Sequence, residues 1–321
     1  MNFSRLFALA LACVVCAAPA FAADALRVAT QAKGTFGWEL AVARAYGLDK
    51  AAGLDIEQTE LATTEAGKIA LVGGGADIII SDWLWVARER SLGQPLLFSP
   101  HSTAIGAVMA KAGAKISRAA DLVGKKLGVA GGPLDKSWLM LQAWALQQGV
   151  DLKSQAKIVY GAPALLAEKL SQGELDAALE FWTFCARLEA QGFVRAVDMT
   201  EVEKALGAKN PVIVTGYVFT TAFAARQGPA LARFFTVMRQ AKRLIAGDDG
   251  AFAKIAAMTG MSDAAGQAIA RRYFREGIPT APLDSEVADA AALYKVLAKV
   301  GGPQLVGADS ELDRALFYRA P

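Results

Sequence analysis

The feature that most constrains this chain is a short pattern that occurs twice. A glycine, an aspartate, an apolar run, an acidic residue and a tryptophan follow one another in Gly75–Trp83 and again in Gly173–Trp182. In both copies the tryptophan lies six residues after the first aspartate, and the copies are 99 residues apart. A second pair of apolar segments, around Val28 and Val129, keeps nearly the same separation. The chain is therefore expected to consist of two similar α/β halves.

Strands and helices are predicted to alternate within each half. Short apolar runs such as Asp77–Ser81 and Ala177–Leu179 are predicted strands, and Thr63–Val72 and Lys136–Gln148 show the spacing of helices with one apolar face. Strands that alternate with helices form parallel sheets, and such sheets bind ligands beyond the carboxyl ends of their strands. The fold class predicted from the sequence is therefore α/β, with two lobes and a binding cleft between them.

Two other β-rich stretches, 103–109 and 212–220, belong to neither copy, and each contains a glycine. We predict that they are paired strands that cross between the lobes as hinges. The helical segment after Gly228 is expected to pack on the first lobe. The predicted first lobe is then discontinuous and comprises residues 23–102 and 217–321, whereas residues 103–216 form the second.

The first 22 residues have the features of a secretory signal peptide, because Arg5 precedes an apolar run and an Ala-Phe-Ala sequence ends at Ala22. We predict cleavage after Ala22 and a periplasmic location, since no later segment approaches the roughly 20 apolar residues of a membrane span. Cys13 and Cys16 leave with this peptide unless one of them carries a lipid. Cys185 then stands alone and cannot form an internal disulfide.

Composition and motifs argue against several function classes. The 34 Lys and Arg residues and 31 Asp and Glu residues are interspersed, so the net charge of +3 predicts neither nucleic-acid nor anionic-membrane binding. His101 is the single histidine, and no Gly-x-Ser-x-Gly elbow accompanies it. Metal-ligand spacings and a dinucleotide-binding glycine motif are also missing from the sequence. We therefore expect a binding protein without catalytic residues, metal or cofactor.

Five segments, taken in order, resemble the periplasmic substrate-binding proteins of ABC importers, in the branch that serves nitrate, taurine and other sulfonates, and thiamine precursors. They are Leu26–Ala29, Gly53–Ile56, Gly75–Trp83, Ala120–Val129 and Gly173–Trp182. The resemblance covers most of residues 26–244. It implies a type II periplasmic-binding-protein fold with two α/β lobes joined by two hinge strands. It also implies a monomer that closes on its ligand and delivers it to an ABC permease in the inner membrane.

The candidate ligand contacts follow the predicted strands on both sides of the cleft. They are Lys33, Thr35, Phe36, Trp38, Ser81, Asp82 and Trp83 in the first lobe, Gly131, Gly132, Leu134, Asp135, Glu180, Phe181 and Trp182 in the second, and Tyr217 on a hinge. Asp82 and Glu180 are the sharpest signals, because a carboxylate at the end of a buried strand needs a donor, a cation or water. The competing interpretations are an interlobe salt bridge or a helix cap for the acids and core packing for the tryptophans.

The loop after Ala130 departs from the oxyanion sites that the resemblance implies. Pro133 removes a backbone N–H and Asp135 adds a negative charge where anion sites use N–H and hydroxyl groups. Aromatic rings beside carboxylates suit a flat, neutral or cationic organic molecule, which we expect Trp83 and Trp182 to clamp. The alternatives are a binding protein for sulfonate, taurine or nitrate, an enzyme on the same fold related to pyrimidine synthases or dehydratases, and a periplasmic sensor.

Overall fold

The computed structural model of the protein describes residues 23–31 and 34–319, with the backbone alone at residues 304 and 305. The predicted signal peptide and Lys33 lie outside the described residues. Within the described residues, ten strands form two five-stranded sheets. The strands are β1 (Asp24–Gln31), β2 (Leu54–Leu61), β3 (Ile78–Asp82), β4 (Leu96–Ser102), β5 (Ala107–Lys111), β6 (Lys126–Ala130), β7 (Lys157–Gly161), β8 (Ala177–Glu180), β9 (Phe193–Asp198) and β10 (Thr215–Thr220).

The two sheets have the same strand order, which confirms the predicted duplication. The first-lobe sheet runs β2-β1-β3-β10-β4, and the second-lobe sheet runs β7-β6-β8-β5-β9. In each sheet the first three strands are parallel, whereas the fourth is antiparallel to both of its neighbours. That fourth strand, β10 or β5, enters its sheet directly after the chain has crossed from the other half. The halves therefore share one topology, and the chain crosses between them twice.

The prediction that the two β-rich crossing stretches pair with each other is wrong, because β5 and β10 lie in different sheets. The crossings are the segments 103–106 and 206–214, and the second meets the last residue of β4, where the Val214 N–H donates to the Ser102 carbonyl at 3.1 Å. At Gly106, in the first crossing, a Cβ atom would lie 1.6 Å from the carbonyl oxygen of Glu180. A residue with a side chain is therefore excluded there, since the backbone of β8 occupies that space.

The repeated aspartates have the same structural role in both sheets. The Asp77 carboxylate accepts the Arg27 N–H at 3.0 Å, and the Asp176 carboxylate accepts the Lys126 N–H at 2.8 Å. Each aspartate also donates its own N–H to the carbonyl of the same partner. These paired bonds satisfy backbone groups of Arg27 within β1 and of Lys126 at the start of β6, neither of which is an edge strand. The first aspartate of each repeat therefore belongs to the sheet and not to the site.

Thirteen α-helices of the described residues surround the sheets. They are α1 (Thr35–Ala45), α2 (Leu48–Ala51), α3 (Thr64–Val72), α4 (Trp83–Ser91), α5 (Lys136–Gln147), α6 (Leu152–Gln155), α7 (Pro163–Gln172), α8 (Trp182–Ala190), α9 (Met199–Ala205), α10 (Thr221–Gly247), α11 (Asp249–Ile255), α12 (Ala264–Glu276) and α13 (Leu283–Val306). Across the described part of the chain, no helix combines the length and apolar character needed to cross a membrane.

The C-terminal helices contact both lobes, whereas the sequence led us to expect them on the first lobe. Helices α10 and α11 pack on α1, as expected, but α12 packs against α8 of the second lobe. Helix α13 packs against α4 of the first lobe and α5 of the second. The hydroxyl of Tyr273 on α12 donates to the carboxylate of Glu189 on α8. The expectation missed these contacts because an apolar helix face does not reveal which lobe covers it.

A buried charged cluster fixes α1 to the first-lobe sheet. The Glu39 carboxylate is fully buried and pairs with the Lys242 ammonium group of α10. It also accepts the Tyr217 hydroxyl at 2.6 Å and lies 2.8 Å from His101 Nε2. Burial alone would raise the pKa of Glu39, but the charges of Lys242 and His101 and their hydrogen bonds lower it to about 2. Burial and the positive charge of Lys242 lower the pKa of His101.

Candidate functional site

The candidate site is the edge of the two sheets at which parallel strands end and helices begin. Strands β1 and β3 lead into α1 and α4, while β6 and β8 lead into α5 and α8. We call this region, residues 34–38, 81–83, 130–136 and 180–182, the interlobe edge. The lobes touch here, because the ring centroids of Trp38 and Trp182 are 6.0 Å apart. A ligand bound at the interlobe edge would therefore contact both halves of the repeat.

Trp38 is the first-lobe aromatic residue at this edge. Its ring is 1% exposed and packs against Trp182 of α8 and, at 5.8 Å between centroids, against Phe274 of α12. Its indole N–H has no hydrogen-bond partner within the described residues. Thr35, at the start of the same helix, is half-buried. The first turn of α1 thus brings two of the predicted residues to the interlobe edge.

Phe36 and Tyr217, although predicted to contact ligand, lie in the core of the first lobe. The Phe36 ring packs edge to face on Tyr217 at 5.4 Å. Tyr217 is 2% exposed, and its hydroxyl is bonded to Glu39. Because first-lobe side chains enclose both rings, neither ring is open to a ligand at the interlobe edge, and we assign both a packing role.

The two tryptophans of the repeat face different neighbours. Trp83 is 3% exposed, donates its indole N–H to the Ile213 carbonyl at 2.7 Å, and lies 6.4 Å between ring centroids from Tyr294 of α13. Trp182 is half-buried and contacts Trp38. The structure therefore pairs Trp182 with Trp38 and not with Trp83, whose polar atom is already satisfied.

Asp82 and Asp135 cap the helices that follow them, which is the structural alternative that the sequence left open for strand-end acids. Asp82 accepts the Trp85 N–H of α4 at 2.8 Å, and Asp135 accepts the Ser137 N–H of α5 at 2.9 Å. Burial raises the pKa of Asp135, and the negative charge of Asp82 acts in the same direction. The carboxylates therefore occupy the two helix N-termini at which an oxyanion would otherwise bind.

The second-lobe loop between β6 and α5 depends on its glycines. Gly131 and Gly132 have φ angles of 93° and 140°, values that disfavour any residue with a side chain. A Cβ atom at Gly131 would also lie 3.0 Å from the Asp135 carboxylate. Leu134 of this loop is exposed. The Lys136 ammonium group lies 5.7 Å from the centroid of the Phe181 ring, which places the predicted Phe181 beside a cation.

Glu180 is the most informative residue of the interlobe edge. It is 1% exposed, and neither carboxylate oxygen has a hydrogen-bond partner in residues 23–31 and 34–319. Burial raises its pKa well above the usual range, and the neighbouring Phe181 N–H offsets this only in part. An unsatisfied buried carboxyl group costs folding free energy, so it requires an explanation in function or strain.

A second set of buried acids, which the sequence analysis did not single out, holds the second crossing. Glu203 of α9 accepts the Val212 N–H at 3.3 Å, while Asp289 of α13 accepts the Lys209 N–H at 3.1 Å. Burial, with smaller contributions from neighbouring acids, raises the pKa of Glu203 to about 8. No local pattern reveals this arrangement, because Asp289 and Lys209 are 80 residues apart.

The described residues contain no group of three His, Cys, Asp or Glu side chains arranged to hold a metal ion. The interlobe edge instead offers two aromatic rings, one from each lobe, and one unpaired carboxyl group. Such a set can stack on a ring and accept hydrogen bonds or a positive charge. Both halves of the repeat contribute to this set.

Comparison with solved structures shows that the chain has the fold of the periplasmic binding proteins. The periplasmic aliphatic sulphonate-binding protein SsuA of Escherichia coli superimposes with a TM-score of 0.74 at 18% identity, over 93% of both chains. The alkanesulfonate-binding SsuA of Xanthomonas axonopodis pv. citri, bound to MOPS, gives 0.69 at 17% identity, over 92% of this chain and 98% of that one. The predicted two-lobed periplasmic-binding fold is thus confirmed.

The chain belongs to the family described as NMT1/THI5 like, whose model matches residues 38–248. The resemblance to importer binding proteins that the sequence indicated is therefore confirmed at the level of family and fold. A desulfurization enzyme shares the fold, with a TM-score of 0.58 at 15% identity, over 87% of this chain and 92% of that one. No curated protein matches the chain.

Proposed function

We propose that this protein is an exported solute-binding protein of an ABC importer. It closes on a small organic ligand at the interlobe edge and delivers that ligand to a permease in the inner membrane. Family membership and the two-lobed fold support this proposal. In the proposed mechanism the lobes rotate about the crossings 103–106 and 206–214. A ligand that contacts both lobes favours the closed state by its higher affinity for that state.

The proposed ligand class rests on one observation, the unpaired carboxyl group of Glu180. A neutral or cationic ligand with N–H groups satisfies this acceptor, and its flat face can stack on Trp182. A simple anion placed there would face Glu180, while Asp82 and Asp135 already cap α4 and α5. We therefore propose a nitrogen-bearing organic ligand, aromatic in the preferred case.

An anionic ligand is the second candidate, and two observations favour it. The two superimposed SsuA proteins are sulfonate-binding proteins. In addition, α1 and α8 begin without a side-chain cap, so their first N–H groups are available to an oxyanion. A sulfonate, taurine or nitrate ligand would use these two helix starts. The same fold also serves an enzyme and suits a sensor that presents ligand to a receptor.

A thermal-shift screen of the mature chain tests the proposed function. The compounds are organic amines, aminated heterocycles, alkyl sulfonates and nitrate, because a ligand that binds the native state raises the melting temperature. We expect stabilisation by a compound that carries N–H groups and none by nitrate. The ligand should be recovered chemically intact after long incubation, whereas accumulation of product would favour the enzyme.

Small-angle scattering of the same mature chain, with and without the ligand found, tests the closure. We expect the radius of gyration to fall at saturation, because the lobes rotate together about the two crossings. The structure described here, in which Trp38 and Trp182 touch, should fit the ligand-bound profile. An unchanged profile at saturation would contradict a two-lobed clamp.

Replacing Trp182 by Ala is expected to weaken binding of that ligand by roughly 1–3 kcal/mol, the effect of removing a buried aromatic contact from a binding centre. The side chain is half-buried, so the variant should remain folded. Trp144→Ala is the matched control, because Trp144 is also partly buried but lies on α5 away from the interlobe edge. Titration calorimetry on both variants gives the comparison. Equal affinities for the two variants would remove Trp182 from the site.

A further inference from the structure

Helix α12 is fixed to the first lobe by polar and aromatic contacts. The Arg271 guanidinium group donates to the Ile245 carbonyl of α10 at 3.0 Å and pairs with the Asp249 carboxylate of α11. The Phe274 ring packs on Trp38 of α1, with 5.8 Å between ring centroids. Because α10, α11 and α1 all hold it, we count α12 as part of the first lobe.

Other residues of α12 contact α8 of the second lobe. The Tyr273 hydroxyl donates to the Glu189 carboxylate, and the Arg272 guanidinium group donates to the same carboxylate at 3.2 Å. A Cβ atom added at Gly266 would lie 3.3 Å from the Cβ atom of Ala190, so the two helices approach closely there. Glu189 therefore receives two hydrogen bonds from the opposite lobe.

Two arginines of the second lobe add to this contact. Arg195 of β9 stacks on the Tyr273 ring, with 4.8 Å between the guanidinium carbon and the ring centroid, and lies 3.8 Å from the Glu189 carboxylate. Arg187 of α8 donates to the carbonyl of Thr259, which precedes α12, at 3.1 Å. We call the set of contacting residues the α8–α12 latch; it comprises Arg187, Glu189, Arg195, Thr259, Arg272 and Tyr273.

The polar groups of the α8–α12 latch are shielded from solvent. The Glu189 side chain is 16% exposed and that of Arg195 is 13% exposed, so salt screens their charges less than those of a surface pair. Burial and the hydrogen bond to Glu189 raise the pKa of Tyr273 to about 12, so the hydroxyl keeps its proton and remains a donor. A hydrogen bond to a charged acceptor is stronger than one between neutral groups. The latch therefore stabilises the arrangement in which the lobes touch.

The α8–α12 latch lies beside a crossing and includes no residue of the interlobe edge. Arg195 donates to the Gly106 carbonyl of the first crossing at 3.1 Å, and the Thr103 N–H of the same crossing donates to the Gly277 carbonyl just after α12. These bonds place the latch next to the segment about which the lobes are proposed to rotate. A change in the latch therefore acts on the relative position of the lobes without removing a candidate ligand contact.

We infer that the α8–α12 latch sets the balance between open and closed lobes before any ligand binds. This inference rests on the proposed function and adds a regulation of its site. The bonds of Glu189 to Tyr273 and Arg272 join one lobe to the other, so the closed state gains them and the open state loses them. Since the latch changes only the fraction of closed molecules, it changes the apparent affinity for every ligand by the same factor.

The distance between the lobes in the ligand-free mature chain tests the latch. Nitroxide labels on Ile69→Cys of α3 and Leu165→Cys of α7 mark one lobe each, and both native side chains are more than half exposed. Cys185 is fully buried, so the labels should attach at the two introduced sites. Double electron–electron resonance then gives the ratio of short to long interlobe distances. We expect both distances in the wild-type background.

Two conservative variants remove the central bond of the latch. Tyr273→Phe keeps the ring without the hydroxyl, and Glu189→Gln keeps the shape without the charge. Each should lower the ratio of closed to open molecules by about 10-fold. The double variant should change the ratio by less than the product of the two single effects, because both substitutions remove the same bond.

Tyr46→Phe is the matched control, because the Tyr46 hydroxyl also donates to a carboxylate, that of Asp248, but both residues belong to the first lobe. It should leave the ratio of closed to open molecules unchanged. Arg272→Gln is a further variant that should fold, since the Arg272 side chain is 46% exposed. It removes one interlobe bond to Glu189 and should lower the ratio in the same direction.

The inference is overturned if the latch variants have the same ratio as wild type or a higher one, or if Tyr46→Phe lowers the ratio as much as they do. A single interlobe distance that no latch variant changes would also overturn it. The proposed function fails in a different way, when no compound of the thermal-shift screen binds, because the distance measurement needs no ligand. A ligand that closes the lobes of Tyr273→Phe with wild-type affinity would leave the proposed function standing and remove the latch.

Discussion

Glu39→Gln is expected to lower the free energy of unfolding by about 3–5 kcal/mol, because it leaves the buried Lys242 ammonium group without a counter-charge. Glu39 is fully buried, and Lys242 is 7% exposed. The amide keeps the shape of the side chain but has one acceptor oxygen, whereas Tyr217 and His101 bond to different oxygens of Glu39, so the loss includes one of these hydrogen bonds as well as the charge pair. Urea denaturation followed by tryptophan fluorescence measures the change.

Glu65→Gln is the control for this prediction, since it removes an acid that also faces a lysine but on the surface of α3. The Glu65 side chain is 73% exposed and its carboxylate lies 3.6 Å from the Lys68 ammonium group. Surface pairs contribute little, so stability should not change measurably. A second substitution, Lys242→Met in the Glu39→Gln background, should recover part of the loss. Equal stability of Glu39→Gln and Glu65→Gln would show that the buried pair makes no net contribution to the free energy of unfolding.

The second large expected effect is a pH dependence of the free energy of unfolding that originates at the carboxyl group of Glu203. Its folded-state pKa is about 8 against an ordinary value of 4.5, because burial and the charges of Asp198, Glu286 and Asp289 disfavour ionisation. Between these values the folded chain holds a proton that the unfolded chain has lost. The contribution of this group to stability is therefore complete below about pH 4.5 and falls as pH rises to about 8. The slope reaches up to about 1.4 kcal/mol per pH unit.

Glu203→Gln should remove that slope. At pH 5 the variant and wild type should be similarly stable, since the carboxyl group is protonated and resembles the amide. At pH 8 the variant should be the more stable protein, because the stability of the wild type falls by up to about 1.4 kcal/mol for each pH unit above about 4.5. Glu201→Gln on the same helix is the control, because its side chain is 69% exposed. A stability difference between Glu203→Gln and wild type that does not vary with pH would contradict the assignment.

The sequence predicted the larger features of the fold well because those features repeat or are local. The glycine–aspartate–tryptophan pattern located β3 and β8 and the helices that follow them, and the matching sheet orders confirm it. Strand pairing between β5 and β10 was predicted wrongly, since both stretches are apolar and carry a glycine. Such patterns identify strands but do not specify the pairing partner, which here lies 67 or more residues away along the chain (Ala110 to Ala177 is the shortest separation).

The candidate site was predicted only in part. Glu180 and Trp182 lie at the interlobe edge, as their places after a buried strand indicated. Tyr217 lies in the core because its hydroxyl bonds to Glu39, a residue 178 positions away. Asp82 caps α4, an alternative that the sequence could not separate from ligand binding. Long-range polar contacts of this kind leave no periodic trace in the sequence.

Because the chain crosses between the lobes twice, the two sheets become complete at different points along the chain. All five strands of the second-lobe sheet lie in one continuous stretch, 107–198, so that sheet can form as soon as this stretch is available. The first-lobe sheet is different, because β10 must insert between β3 and β4, whose residues precede it by more than 100 positions. Pairings between such distant segments form slowly, since loop closure precedes the contacts that reward it. Until Thr215–Thr220 is present, β4 has no pairing partner in its sheet, and no single cut in the chain separates the duplicated halves.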